Sequence, residues 1–266
     1  MLNITLFKRE FKNSLPLLLI VLSIMTLYIS IIIYMYDPNM LDMLNSFTEV
    51  MPEIMAMVGM TGATDSLLSF EASYLYGFIL ILFPMLYIIT RNNSLIKKYI
   101  ENNSMAALLA APITRVKFAL TQAITLISTT FILVSLVTLI QFSCGELMFP
   151  NETSLLELIQ LNAGLFSLLL FIASLAFMAN CIFNNSKIAL AISTGLPIFM
   201  FVVQMIANLG GDMEIAKYFT FFTLFDPSGL INAESFAITG AISLALAAFL
   251  LFSVGILAFN RRDLHI

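Results

Sequence analysis

The sequence predicts an all-α polytopic membrane protein, and three observations carry that prediction. Of the 266 residues, 60% are apolar and only 11% are Asp, Glu, Lys or Arg, against roughly 45–50% and about 25% in soluble domains. The mean hydropathy is +0.99. The apolar runs are long and unbroken, as membrane helices require, and do not alternate as barrel strands do. This composition excludes a soluble enzyme and a disordered chain. It also excludes a nucleic-acid binder, because 12 Lys and Arg against 16 Asp and Glu cannot form a basic face.

Crossing the hydrocarbon core takes about 20 mostly apolar residues, whose backbone bonds are satisfied within the helix. Six windows qualify: residues 14–36, 72–90, 118–142, 159–183, 188–209 and 236–259. No Asp, Glu, Lys or Arg is expected in the core of any of them, and the whole chain reads as one transmembrane domain.

The charges order the loops. Lys8, Arg9 and Lys12 precede the first window. Arg91, Lys97, Lys98, Arg115 and Lys117 lie between the second and third, Lys187 between the fourth and fifth, and Arg261 and Arg262 after the sixth. Of the basic residues only Lys217 falls in the other set of loops. The positive-inside rule makes the basic side cytoplasmic, with both termini there. The acidic residues divide the opposite way: Glu10, Glu101 and Asp263 are the inner ones. A cleavable leader is not expected, because the first apolar run is too long and no A-x-A site follows it. Trp is absent, so Tyr34, Tyr36, Tyr74, Tyr76 and Tyr218 are expected to form the outer interfacial ring. Cys144 and Cys181 fall at opposite ends of their spans, about a membrane thickness apart, and are not expected to pair.

Three further segments are neither span nor simple loop. In MLNITLFKREFKNSLP, Ile4, Phe7, Phe11 and Leu15 share one helical face, while Thr5, Lys8 and Lys12 share another. This reads as an amphipathic interface helix that turns at Pro16 into the bilayer, or as a plain basic flank of the first span. The inner loop RNNSLIKKYIENNSMAALLAAPITRVK holds a candidate helix through Leu95, Ile96, Tyr99 and Ile100. Asn102 and Asn103 follow as a breaker, then a second helix opened by Ser104 and ended by Pro112. It reads as a docking surface for a cytoplasmic partner, or as an interfacial anchor without one. Residues 210–235 contain YFTFFTLF, too short to cross, and then the turn Asp226-Pro227-Ser228-Gly229. They form either an extracellular re-entrant hairpin before the last span or a surface amphipathic helix.

Much chemistry is missing from the sequence. The single histidine, His265, lies in the C-terminal tail, so neither an intramembrane zinc site nor a Ser-His pair can be assembled. No Gly is followed by Lys, which excludes a P-loop. Ion-coupled transporters usually carry charged groups in their spans, so energy for any transport comes from elsewhere. The polar span residues Gln122, Gln141, Asn162, Asn180 and Gln204 join helices or face a substrate. Pro84, Gly195 and Pro197 kink or loosen their helices.

Two motifs then resemble the membrane (permease) subunit of ABC-2-type bacterial exporters. ENNSMAALLAAPITR is similar to that family's E-x-G-T-x-x-x-L-L-x-x-P-[IV]-[ST]-R. Glu101, Ser104, Leu108, Leu109, Pro112, Thr114 and Arg115 match it, with Asn103 in place of the usual Gly and Ala106 where Glu is frequent. GILAFNRRDLHI resembles the family ending through Gly255, Phe259, Arg261, Arg262, Asp263 and Leu264. The resemblance implies a non-catalytic subunit of the bacterial cytoplasmic membrane. It pairs with a second permease, expected to be an identical copy, and with two copies of a separate ATPase that binds ATP and Mg. The implied coupling surface is Leu95, Ile96, Tyr99, Ile100, Glu101, Ser104, Met105, Leu108, Leu109 and Arg115, flanked by Phe7, Lys8, Phe11 and Lys12 of the N-terminal interface helix. The implied activity is export of an amphipathic or hydrophobic peptide, antibiotic or lipid-like molecule. An ATPase-independent channel or scaffold is the alternative.

Overall fold

A computed structural model describes residues 2–36, 50–60, 66–101 and 113–262. The described residues are all-helical, without strands. Six helical segments are long and apolar enough to span a membrane: Ile4–Tyr34, Ile79–Ile96, Arg115–Met148, Leu155–Ile182, Ser186–Ala207 and Ser235–Arg261. They are numbered here as the first to sixth spans.

The fourth span is the hub. Leu158, Leu161, Leu165, Leu168, Leu169, Ile172 and Phe177 are fully buried along it, against the sixth, third and second spans. The first span packs mainly on the third. The first, fifth and sixth spans each leave an apolar face outside, through Leu19 and Ile31, Phe199 and Val202, and Phe249 and Leu257. In lipid such a face costs nothing, because the surrounding chains are as apolar as the side chains.

The first and third helices overrun their apolar windows at N-termini that side chains cap. Asn3 accepts from the amide of Leu6 and Thr114 from that of Lys117, each satisfying a donor that the first helical turn leaves open. The first span is therefore one helix of 31 residues, about 46 Å long at 1.5 Å per residue. The expected turn at Pro16 is absent. Pro16 withdraws one amide from the ladder, and the affected carbonyl belongs to Lys12, which is exposed, so water can serve it. The packed face also differs from the expected one. Leu6, Glu10, Ser14 and Leu18, four apart, face inward, while Ile4 and Leu15 are exposed.

The second window, expected as one helix over residues 72–90, divides. Leu67–Leu75 forms a separate outer helix and Ile79–Asn92 the main one, with a break at residues 76–78. Gly77 explains the break. A Cβ there would lie 2.4 Å from the Val58 carbonyl oxygen, so the chain at Val58–Gly59 rests directly on it. Tyr74 and Tyr76 are buried, while Tyr34 and Tyr218 are exposed. The expected tyrosine ring therefore loses two members to the core. Cys144 and Cys181 are free.

Residues 210–235 form two 3-10 turns, Gly211–Phe219 and Phe221–Leu224, followed by the short helix Pro227–Ile231. Phe221 packs at a tilt against Phe171 of the fourth span, ring centroids 4.9 Å apart, and Phe222 likewise against Phe201 of the fifth at 5.4 Å. Gly240 of the sixth span admits the Leu224 carbonyl, and Gly164 of the fourth admits Leu230. Phe171 stands 16 residues inside the fourth span, so the segment reaches about 24 Å along that helix. Met213, Ile215 and Phe219 remain exposed.

Candidate functional site

Most described basic residues gather at one end of the bundle, called here the basic end, and three polar constellations lie there. The first joins the N-terminal helix to the second span. Glu10 shares the inward stripe with Leu6 and Ser14, and Arg91 sits near the end of the helix Ile79–Asn92. The Arg91 Nη2 donates to the Glu10 carbonyl at 3.2 Å and reaches its carboxylate at 3.5 Å. The Tyr99 hydroxyl donates to the other carboxylate oxygen at 2.5 Å. Burial, and then the Glu10 carboxylate, hold the Tyr99 phenol above its ordinary pKa, so it remains a donor. Glu10 and Arg91 lie just outside the apolar windows 14–36 and 72–90, and the longer helices bury them in the bundle.

The second constellation links two π turns, in which the helix takes on an extra residue. One, Asn93–Lys97, interrupts the second span, and the other, Ala191–Gly195, interrupts the fifth. Asn93 Oδ1 accepts from Asn180 Nδ2 of the fourth span at 3.0 Å and from the Ser193 hydroxyl at 3.5 Å. Three spans thus meet at one amide oxygen, at two places where the regular ladder is already disturbed.

The third is built by Arg262. Its guanidinium donates to the carbonyls of Asn180 and Phe183 at 2.8 Å each, and to Asn184 Oδ1 at 2.6 Å. It therefore caps the end of the fourth span, whose last carbonyls have no helical partner. Arg115 donates in turn to the Arg262 carbonyl. An aromatic run lies beneath: Tyr99 meets Phe118 edge-on at 5.4 Å, and Phe118 stacks on Phe259 at 5.7 Å. The second, third and sixth spans are joined by this run.

The sequence-predicted residues distribute unevenly over this end. Leu95, Ile96 and Tyr99 are buried. They continue the second span and do not form a separate outward-facing helix. Arg115 is half-buried on Arg262, Phe7 and Phe11 are half-buried with their tilted rings 5.8 Å apart, and Lys8 and Lys12 are exposed. Ile100 and Glu101 are described by their backbone in the helix Lys98–Glu101. Ser104, Met105, Leu108 and Leu109, and the expected second loop helix, lie outside the described residues, as do Asp263 and Leu264. Sequence reasoning missed Glu10, Asn93 and Ser193 as partners, while Asn180 joins helices as one of its two readings allowed. The available signal was Glu10, a lone acid among Lys8, Arg9 and Lys12.

The opposite end has a network and a cavity. Glu71 of the outer helix is fully buried. Gln141 Nε2 donates to its Oε2 at 2.8 Å, while Tyr76 and Asn162 each donate to Gln141 Oε1 at 3.0 Å. Glu71 Oε1 has no partner. Burial pushes its pKa up to about 8, against the lowering effect of the Gln141 bond. Beside this network lies a cavity of about 430 Å³, between the break at residues 76–78, the fifth span and the segment 211–231.

Comparison with protein families matches residues 45–265 to one described as "Protein of unknown function (DUF2705)". No curated protein and no solved structure matches the chain.

Proposed function

The chain belongs to the DUF2705 family, and for this member we propose the role of transmembrane subunit in an ATP-driven exporter. Two such subunits pair in the bacterial cytoplasmic membrane, each served by a separate ATPase that holds ATP and Mg, with the basic end facing the cytoplasm. The hairpin of residues 210–235 then dips into the outer leaflet, and the exported molecule is amphipathic or hydrophobic.

One geometric observation supports this reading above the rest: the buried junction of Glu10, Arg91 and Tyr99. In sequence, the motif segment from Glu101 to Arg115 begins just after Tyr99 and ends on Arg115, which donates to the Arg262 carbonyl. A push on that segment therefore reaches the first and second spans through Glu10 and the sixth through Arg262. Because Leu95, Ile96 and Tyr99 are inside, they act as transmitters of the push, and the ATPase contact falls on residues 100–114. The π turns give the second and fifth spans a place to change register, since such turns are recurrent sites of helix adjustment.

The test compares the unaltered chain with Glu101→Ala and Tyr99→Phe in membranes, following ATPase capture and ATP turnover. Glu101→Ala is expected to weaken capture. Tyr99→Phe is expected to preserve capture and lower cargo-stimulated turnover. Unchanged capture and turnover in both variants would sink the coupling assignment.

A further inference from the structure

We infer that the cavity at the opposite end is a binding site for a hydrophobic organic monocation. About 430 Å³ is the size of pocket that encloses a drug-sized molecule. Its floor is aromatic: Tyr76, Phe201, Phe222 and Phe225 line it, and all four are buried. Ring faces are the surface a desolvated cation prefers.

The walls are tied to one another and so preserve the space. Gln204 of the fifth span donates to Asn208 at 2.9 Å and accepts from the Thr223 hydroxyl at 2.9 Å. Asn208 reaches the Met57 carbonyl at 3.4 Å. Three separate pieces of chain are thereby held around the void before any ligand arrives, which limits the ordering cost of binding.

The sign of the charge follows from the lining. Glu214, Lys217 and Asp226 belong to it. Glu214 and Lys217 are paired with each other, which leaves Asp226. One of its oxygens accepts from the Gly229 amide at 3.1 Å, and among the described residues no cation pairs with it. Among the described residues the cavity lining carries two carboxylates against one ammonium, a net charge of −1. An anion would meet this charge after giving up its water, whereas a cation gains by it.

The site needs no ATPase, so its test is independent of the exporter reading. The purified chain is titrated with tetraphenylphosphonium and, separately, with tetraphenylborate, an anion of nearly the same shape, by equilibrium dialysis in detergent. Saturable binding of the phosphonium without saturable binding of the borate is expected. Asp226→Asn keeps the helix cap, since Asn caps as well as Asp, and is expected to weaken phosphonium binding about fivefold, the worth of a partly exposed charge pair. Ala56→Trp places an indole at the cavity wall and is expected to abolish saturable binding. Equal binding of both ions, no saturable binding, or a phosphonium affinity unmoved by either substitution overturns the assignment.

Discussion

Arg91 meets Glu10 across 81 positions of sequence, with side-chain exposures of 7% and 5%. Neither charge can be hydrated where it stands, so each depends on the other. Removing one partner of such a pair costs about 3–5 kcal/mol, while replacing both with apolar groups costs much less. Glu10→Ala and Arg91→Met should each lower the unfolding temperature in detergent sharply, and the double variant should recover part of the loss. Additive losses would mean that the two charges are not coupled.

Tyr99→Phe removes one donor from the same carboxylate and leaves the Phe118 contact. A hydrogen bond to a charged group contributes about 1.5–3 kcal/mol, so a loss at the low end of that range is expected. The loss should vanish when Glu10 is already Ala.

Gly240 and Gly195 form an internal comparison. A Cβ at Gly240 would lie 2.4 Å from the Leu224 carbonyl oxygen, whereas at Gly195 it would meet nothing within 4 Å. Gly240→Ala should cost roughly 1–3 kcal/mol through overpacking and loosen the segment 211–231, seen as faster proteolysis there. Gly195→Ala should be neutral or slightly stabilising, because Ala is the better helix former.

Glu71 should make stability depend on pH. Its folded pKa, about 8, lies above the ordinary 4.5, so the folded chain holds a proton that the unfolded chain has released. This contribution is full below pH 4.5, declines as pH rises, and is gone once pH has passed about 8. Unfolding temperatures measured across that window should fall towards alkaline pH, and Glu71→Gln should flatten the curve. A slope unchanged in the Gln variant would show that another group titrates.

Six helices long and apolar enough to cross a membrane were legible because each contains a long apolar run, a signal that composition alone carries. The sequence did not show where the first and third helices begin, since Asn3 and Thr114 cap them beyond the apolar windows. The split of the second window at residues 76–78 was hidden for another reason: it depends on Gly77 meeting Val58, a contact between separate pieces of chain. At the basic end, the C-terminal motif was visible, but its work inside this chain was not. Arg262 acts on carbonyls about 80 positions away, and carbonyls leave no mark in a sequence. Glu71 looked like an outer-loop acid, and only the packing of Gln141, Tyr76 and Asn162 around it makes it an interior group.

The most direct measurement is gentle purification of the whole chain from its native membrane, followed by identification of what accompanies it and assay of ATP hydrolysis. The exporter reading predicts a P-loop ATPase in about equal amount, with turnover that falls when Arg91 or Glu10 is replaced. A chain that purifies without any nucleotide-hydrolysing companion, and passes solute across vesicles without ATP, would contradict it.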